Sequence, residues 1–124
     1  MKILIAEDDK TVRELLVDIV RLDGHAVVIA KDGLDALHKF IEHQGSIDLV
    51  LTDYKMPKVT GSTLAHHVRT VTPEVPVIMV TGYASKFTEE QAALEGIKHY
   101  MKKPLNVEAL RAAIHSLRKA IMEF

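Results

Sequence analysis

The stretch Leu49–Pro57, LVLTDYKMP, decides how this chain is read. Leu49, Val50 and Leu51 form a continuous apolar run, which suits a strand buried on both faces. The run ends on an acid, Asp53, and Met56-Pro57 then turn the chain away. An aspartate at a strand end is ordinarily a turn former. Whether the strand is there to present Asp53 depends on what stands at the ends of the other strands.

Outward from this stretch, short apolar runs alternate with helical stripes. Lys2–Ala6 (KILIA) reads as a first strand. Val12, Leu15, Leu16, Ile19 and Val20 then recur at helical spacing, and Gly24 is placed to stop that helix. His25–Ala30 reads as a second strand. Leu34, Leu37, Phe40 and Ile41 mark the next helix, and residues 47–53 the third strand. Leu64, Val68 and Val71 mark a third helix, and Val75–Thr81 a fourth strand. A more polar helix is expected over Ser85–Gly96, followed by a weak fifth strand at 98–102. Beyond Pro104, Val107, Leu110, Ile114, Leu117 and Ile121 form a stripe to the end, read as core packing. Strand–helix alternation of this kind predicts an α/β fold, a doubly wound parallel sheet with helices on both faces. Crossovers are expected to be right-handed.

The totals agree with one domain over residues 1–124. A chain of 124 residues can bury roughly two thirds of its unfolded surface. Its 48% apolar and 27% charged content is that of a globular protein. A net charge of -1 without like-charge blocks leaves no footprint for nucleic acid and no polybasic membrane patch. Cysteine is absent, so disulfides and thiolate metal sites are excluded. The start, MKILIAEDD, is too short for a signal peptide, and no apolar run approaches the about 20 residues a membrane helix needs. A cytoplasmic location is expected.

Open α/β sheets bind ligands beyond the carboxyl ends of their strands. The first strand is followed there by Glu7, Asp8 and Asp9; the third ends in Asp53, the fourth in Thr81 and the fifth in Lys102 and Lys103. Asp9 is expected to cap the following helix. Clustered carboxylates repel and raise one another's pKa, and oxygen ligands with room for water suit Mg2+. The first turn has no glycine-rich loop, which argues against a directly bound nucleotide and for phosphate handled through a metal. A carboxylate nucleophile, a divalent cation, the Thr81 hydroxyl and the Lys103 ammonium would make a phosphoryl-transfer site. None of the seven histidines is paired at metal-ligand spacing; His66 and His67 are adjacent and diverge by about 100 degrees on a helix.

The motifs ILIAEDD, LVLTDYKMPKVTG, VIMVTGYA and YMKKP, in this order and spacing, resemble the receiver domain of two-component response regulators, the family of the chemotaxis protein CheY. The resemblance implies strand order 2-1-3-4-5. It makes Asp53 the phosphoacceptor, and Glu7, Asp8, Asp53 and the backbone carbonyl of Lys55 the Mg2+ ligands. It makes Thr81 and Lys103 the groups that bind the phosphoryl oxygens, with a cis Lys103-Pro104 bond. Thr81 and Tyr100 would be the switch: Thr81 moves to the phosphoryl group, Tyr100 turns inward, and the surface of the fourth helix, fifth strand and fifth helix changes. Implied partners are a sensor histidine kinase or histidine phosphotransfer protein as donor and a downstream effector protein, with neither nucleic acid nor membrane bound directly. Such a domain is a switch rather than an enzyme, with weak autodephosphorylation. Lys55 and Tyr83 lie at positions that govern water access to the acyl phosphate, and long side chains at both predict slow phosphate loss. A stand-alone receiver acting through protein contacts is expected. Departures from the family pattern are Thr60, where many relatives have Asp, and Leu105, where Phe is common.

Three other readings compete. A degenerate receiver would bind partners without phosphorylation, but every expected site residue is present. A Mg2+-dependent phosphatase of the haloacid dehalogenase type needs Asp-x-Asp after its first strand, where this chain has Glu7-Asp8-Asp9. A flavodoxin-like cofactor binder conflicts with acids in the phosphate-binding turn.

Overall fold

The structure, a computed structural model, describes residues 1–82 and 89–122. Its order is β1 (Lys2–Ala6), α1 (Lys10–Leu22), β2 (Ala26–Ala30), α2 (Gly33–Glu42), β3 (Leu49–Asp53), α3 (Gly61–Val71), β4 (Val77–Thr81), α4 (Glu89–Leu94), β5 (His99–Lys102) and α5 (Val107–Met122). The five strands form one parallel sheet in the order β2-β1-β3-β4-β5, as expected. Tyr83 and residues 85–88 of the expected fourth helix lie outside the described residues. β1 spans Lys2–Ala6 as read, whereas the other four strands begin later than the apolar runs suggest. Pro76, for instance, has no N–H, so it accepts from Val50 through its carbonyl and β4 starts one residue on.

The sheet separates two cores because side chains alternate along a strand. Leu4, Val50 and Met79 face one layer, where Phe40 of α2 and Leu64, Ala65 and Val68 of α3 cover them. Ile3, Ile5, Leu49, Leu51, Ile78 and Val80 face the other, covered by Leu16, Val17, Ile19 and Val20 of α1 and Leu110 and Ile114 of α5. Every residue of β3 and β4 is buried. Each large apolar side chain so buried stabilises the fold by about 1.5–3 kcal/mol. The helical stripes are narrower than their apolar residues suggest: Leu15, Ile41, Val71 and, on the α5 stripe read as core packing, Val107 and Ile121 are exposed, while the smaller Ala36 and Ala65 lie against the sheet. Size does not tell which edge of an amphipathic stripe meets the core. Among the described residues no helix is long and apolar enough to cross a membrane.

Local chemistry fixes the helix ends. Asp9 accepts from the Val12 N–H at 3.0 Å and caps α1, as read. Gly24 stands just past α1 with φ +83. Thr60 accepts from the Thr63 N–H at 3.2 Å and caps α3, so the hydroxyl does the capping there. Gly61 then lets α3 start directly against the end of β3: a Cβ there would lie 2.1 Å from the Asp53 carbonyl oxygen. Gly33 does the same for α2 beside the Val59 carbonyl, at 1.7 Å. Between these contacts Lys58 is held at φ 72, a left-handed conformation that costs a residue with a Cβ about 1–2 kcal/mol. Its ion pair with Asp32 is 3.7 Å long and its side chain is 61% exposed, so the pair returns little. Lys58→Gly is expected to raise stability by about 0.5–1 kcal/mol, after the extra chain entropy of glycine. Chemical denaturation checks this; an unchanged or lower midpoint would show that the left-handed turn is not strained.

Candidate functional site

The chain leaves β1 to one side for β2 and returns on the other for β3, so strand order reverses between β1 and β3. Glu7, directly after β1, and Asp53, the last residue of β3, flank that point and are 1% and 8% exposed. A crevice opens at such a reversal because the two loops diverge. Asp8 stands beside them, exposed. One carboxylate oxygen from each of Glu7, Asp8 and Asp53 lies within 4.8 Å of the others.

Lys103, one residue past β5, reaches across to this crevice. Its Nζ donates to Glu7 Oε1 at 2.7 Å and to Asp53 Oδ2 at 2.9 Å. Its backbone N–H donates to the Thr81 carbonyl at 2.8 Å, which starts the side chain from a fixed point on β4. The Lys103-Pro104 bond is cis, as the resemblance implies. One ammonium cannot serve four oxygens. Glu7 Oε2 and Asp53 Oδ1 are buried and find no hydrogen-bond partner among the described residues. Burial first, then a hydrogen bond with Asp53, pushes the Glu7 carboxyl from about 4.5 up to about 8, against the opposing pull of Lys103. Burial works against the Lys103 charge, but its hydrogen bonds to Glu7 and Asp53 outweigh that and hold it above its ordinary value. The Lys103 ammonium thus leaves one oxygen of each buried acid unserved.

Of the remaining expected residues, the structure describes Thr81, Tyr100 and Lys55. Thr81 is fully buried at the end of β4 and its hydroxyl donates to the Tyr100 hydroxyl at 3.1 Å. Tyr100, on β5, packs against the α2/α3 core. Lys55 sits on the loop after β3 with its side chain exposed. Tyr83 lies outside the described residues. The sequence reading missed Arg13. From the first turn of α1 its guanidinium donates to the Glu7 carbonyl at 2.9 Å and more weakly to that of Asp8 at 3.4 Å, pinning the acidic turn from behind. The available signal was a cation one helical turn past the Asp9 cap, on the face that looks back at the acids.

The description "Response regulator receiver domain" belongs to a family model that matches residues 3–115. The chemotaxis protein CheY of Pseudomonas aeruginosa is 34% identical over 120 residues, which cover 94% of this chain and 95% of that protein. The transcriptional regulatory protein CpxR of Escherichia coli is 34% identical over 116 residues, 94% of this chain but 48% of that protein. The chain spans about half, or less, of the length of several other curated relatives it matches, such as 47% of YrkP from Bacillus subtilis. Among solved structures, a response regulator receiver domain protein from Clostridium thermocellum superposes with a TM-score of 0.88 at 32% identity, covering 98% of each chain. The response regulator TrrA of Thermotoga maritima, solved in complex with Mg2+-BeF, gives a TM-score of 0.82 at 28% identity over 94% of this chain and 97% of that one. With the acidic crevice at the strand-order reversal of a 2-1-3-4-5 sheet, these matches place the chain in the response regulator receiver domain family.

Proposed function

We propose that this chain is a phosphoacceptor switch in which Asp53 takes a phosphoryl group from a phosphohistidine on a sensor kinase or histidine phosphotransfer protein. The observation that carries this reading is the convergence of the Glu7, Asp8 and Asp53 carboxylates at the strand-order reversal, with Lys103 bonded to one oxygen each of Glu7 and Asp53. Those carboxylates fit a hard divalent cation, with the Lys55 carbonyl as a further ligand. Mg2+ held by Glu7, Asp8 and Asp53 would supply charge neutralisation to the phosphoryl oxygens.

The chain's own residues account for the rest. Asp53 is fixed by a fully buried strand and by Gly61 packing on its carbonyl, so its carboxylate is held ready for in-line attack on phosphorus. The new bond is Asp53 oxygen to phosphorus; the bond broken is phosphorus to the donor imidazole nitrogen, which leaves with the electron pair. Lys103, already on Asp53, is placed to share its ammonium with the phosphoryl oxygens. The Thr81 hydroxyl has one proton. Donating it to a phosphoryl oxygen means withdrawing it from Tyr100, and that exchange is the switch: Thr81 moves to the phosphoryl group and the Tyr100 ring turns inward. The surface of α4, β5 and α5 follows, and an effector protein reads it.

Three outcomes test this reading. Added Mg2+ with beryllofluoride is expected to change the NMR signals of Thr81 and Tyr100 in the wild type and not in Asp53→Asn; an equal response in the variant would remove Asp53 from the acceptor role. The Glu7 carboxyl has its folded pKa raised from about 4.5 to about 8, so in divalent-free buffer the folded state holds a proton that the unfolded chain releases. Its contribution to stability is complete below about 4.5 and is lost as pH rises through about 8. Glu7→Gln is therefore expected to flatten the fall in denaturation midpoint across that window, and an unaltered slope would contradict the shared-proton geometry. Finally, Lys55→Ala combined with Tyr83→Ala is expected to hasten loss of the acyl phosphate; an unchanged lifetime would show that neither side chain shields it.

A further inference from the structure

A second concave site lies at the opposite end of the sheet. His25 precedes β2, so it stands at the amino ends of the strands, whereas the acids stand at the carboxyl ends. Between the end of α1 and one face of α5 is a cavity of about 410 Å³, within the size range of small-molecule pockets. Its charged lining is Asp23, His25, Glu108, Arg111, His115 and Arg118. Arg111, His115 and Arg118 recur at i, i+4 and i+7, which puts them along one side of α5.

Arg111 is engaged by Asp23 through both carboxylate oxygens, at 3.0 and 2.8 Å, and feels Glu108 as well. The same cavity is lined by Arg118, His115 and His25, and Asp23 is near enough to feel both histidines. Among the described residues neither Arg118 nor His115 has a hydrogen bond or ion pair. His25 is 7% exposed, and its Nδ1 meets the Met1 amino group at 3.2 Å. An ammonium only donates, so Nδ1 accepts and the ring proton sits on Nε2 as a donor. Burial, then the Met1 amino group, then Arg118 hold His25 below its ordinary pKa, with Asp23 opposing. Arg118 and the Met1 amino group thus stand near a buried, neutral ring. A metal does not suit this place. The one cluster of acids and histidines with converging ligand atoms among the described residues is that of Glu7, Asp8 and Asp53, and Arg118 repels a cation.

We propose that this cavity binds a small diffusible ligand bearing an oxyanion, a phosphate monoester or a polycarboxylate, gripped by Arg118, His115 and His25. Arg118 supplies a planar, permanently charged fork. The imidazoles of His115 and His25 supply N–H donors from the α5 and β2 sides. Asp23 and Arg111 are already paired with each other, which leaves Arg118 as the cavity's other guanidinium. The ligand would bridge the end of α1 to α5, two helices on the same sheet face.

The test is NMR titration of the full chain in divalent-free buffer at constant ionic strength, with inorganic phosphate, glycerol 3-phosphate and citrate as probes. The imidazole signals of His25 and His115 are expected to shift with saturation, with a Kd of about 1 mM or tighter for at least one organic probe. Comparing the ester with citrate assigns the anion class. Arg118→Gln is expected to weaken binding about tenfold, while Lys98→Gln, a basic position outside this cavity, leaves it unchanged. Both variants are first shown to keep the wild-type unfolding midpoint, and His115→Gln, also expected to weaken binding, replaces Arg118→Gln if that variant does not. Shifts that rise linearly without saturation, or equal affinity in wild type and Arg118→Gln, would overturn the proposal.

Discussion

The contact on which the rest depends is a single ammonium shared by two buried acids. Lys103 lies 2.7 Å from Glu7 and 2.9 Å from Asp53, and each acid has a second oxygen that it does not reach. Removing a charge from water costs several kcal/mol even after relaxation, and one cation cannot offset two anions. The fold therefore holds a local electrostatic deficit, visible in the Glu7 carboxyl being driven up to about 8. A deficit of this kind is a poor way to stabilise a protein and a good way to attract positive charge. Bringing these groups together is a cost that the two apolar layers must carry.

Those layers carry it because the central strands are buried along their whole length. β3 and β4 have no exposed residue, so the ends of both strands are positioned by packing rather than by their loops. Asp53 and Thr81 inherit that rigidity. The loops add two tight fits, Gly61 on the Asp53 carbonyl and Gly33 on Val59, where even a methyl group would collide with backbone. The left-handed Lys58 between them is the local strain this leaves behind. The surrounding packing thus reduces the freedom of the loops after β3 and before α2.

Much of this was legible from residue order. Strand–helix alternation, the parallel sheet, Asp9 as a cap and Gly24 as a stop all follow from period and backbone chemistry, which act over a few residues. The coincidence of Glu7, Asp53, Thr81 and Lys103 at strand ends was equally readable, since topology alone brings those ends to one rim. Less legible were the edges of the helical stripes: Leu15, Ile41 and Val71 look like core and are not, because a stripe is wider than the groove it fills. Arg13 was invisible as a site residue, since its role is a backbone contact with Glu7 and Asp8 rather than a motif.

The sequence by itself determined the fold class and the set of groups on the rim, because hydrophobic period and strand-end position are local properties of the chain. Only the tertiary structure decided how those groups are used. It set Lys103 between Glu7 and Asp53 across a separation of 96 and 50 residues, and among the described residues it gave the second oxygen of each acid no hydrogen-bond partner. It joined the Thr81 hydroxyl to Tyr100, and it gathered His25, His115 and Arg118 at the far end of the sheet. Each of these is a distance between residues remote in the chain. Electrostatic energy depends on such distances and on burial, and neither is written in residue order.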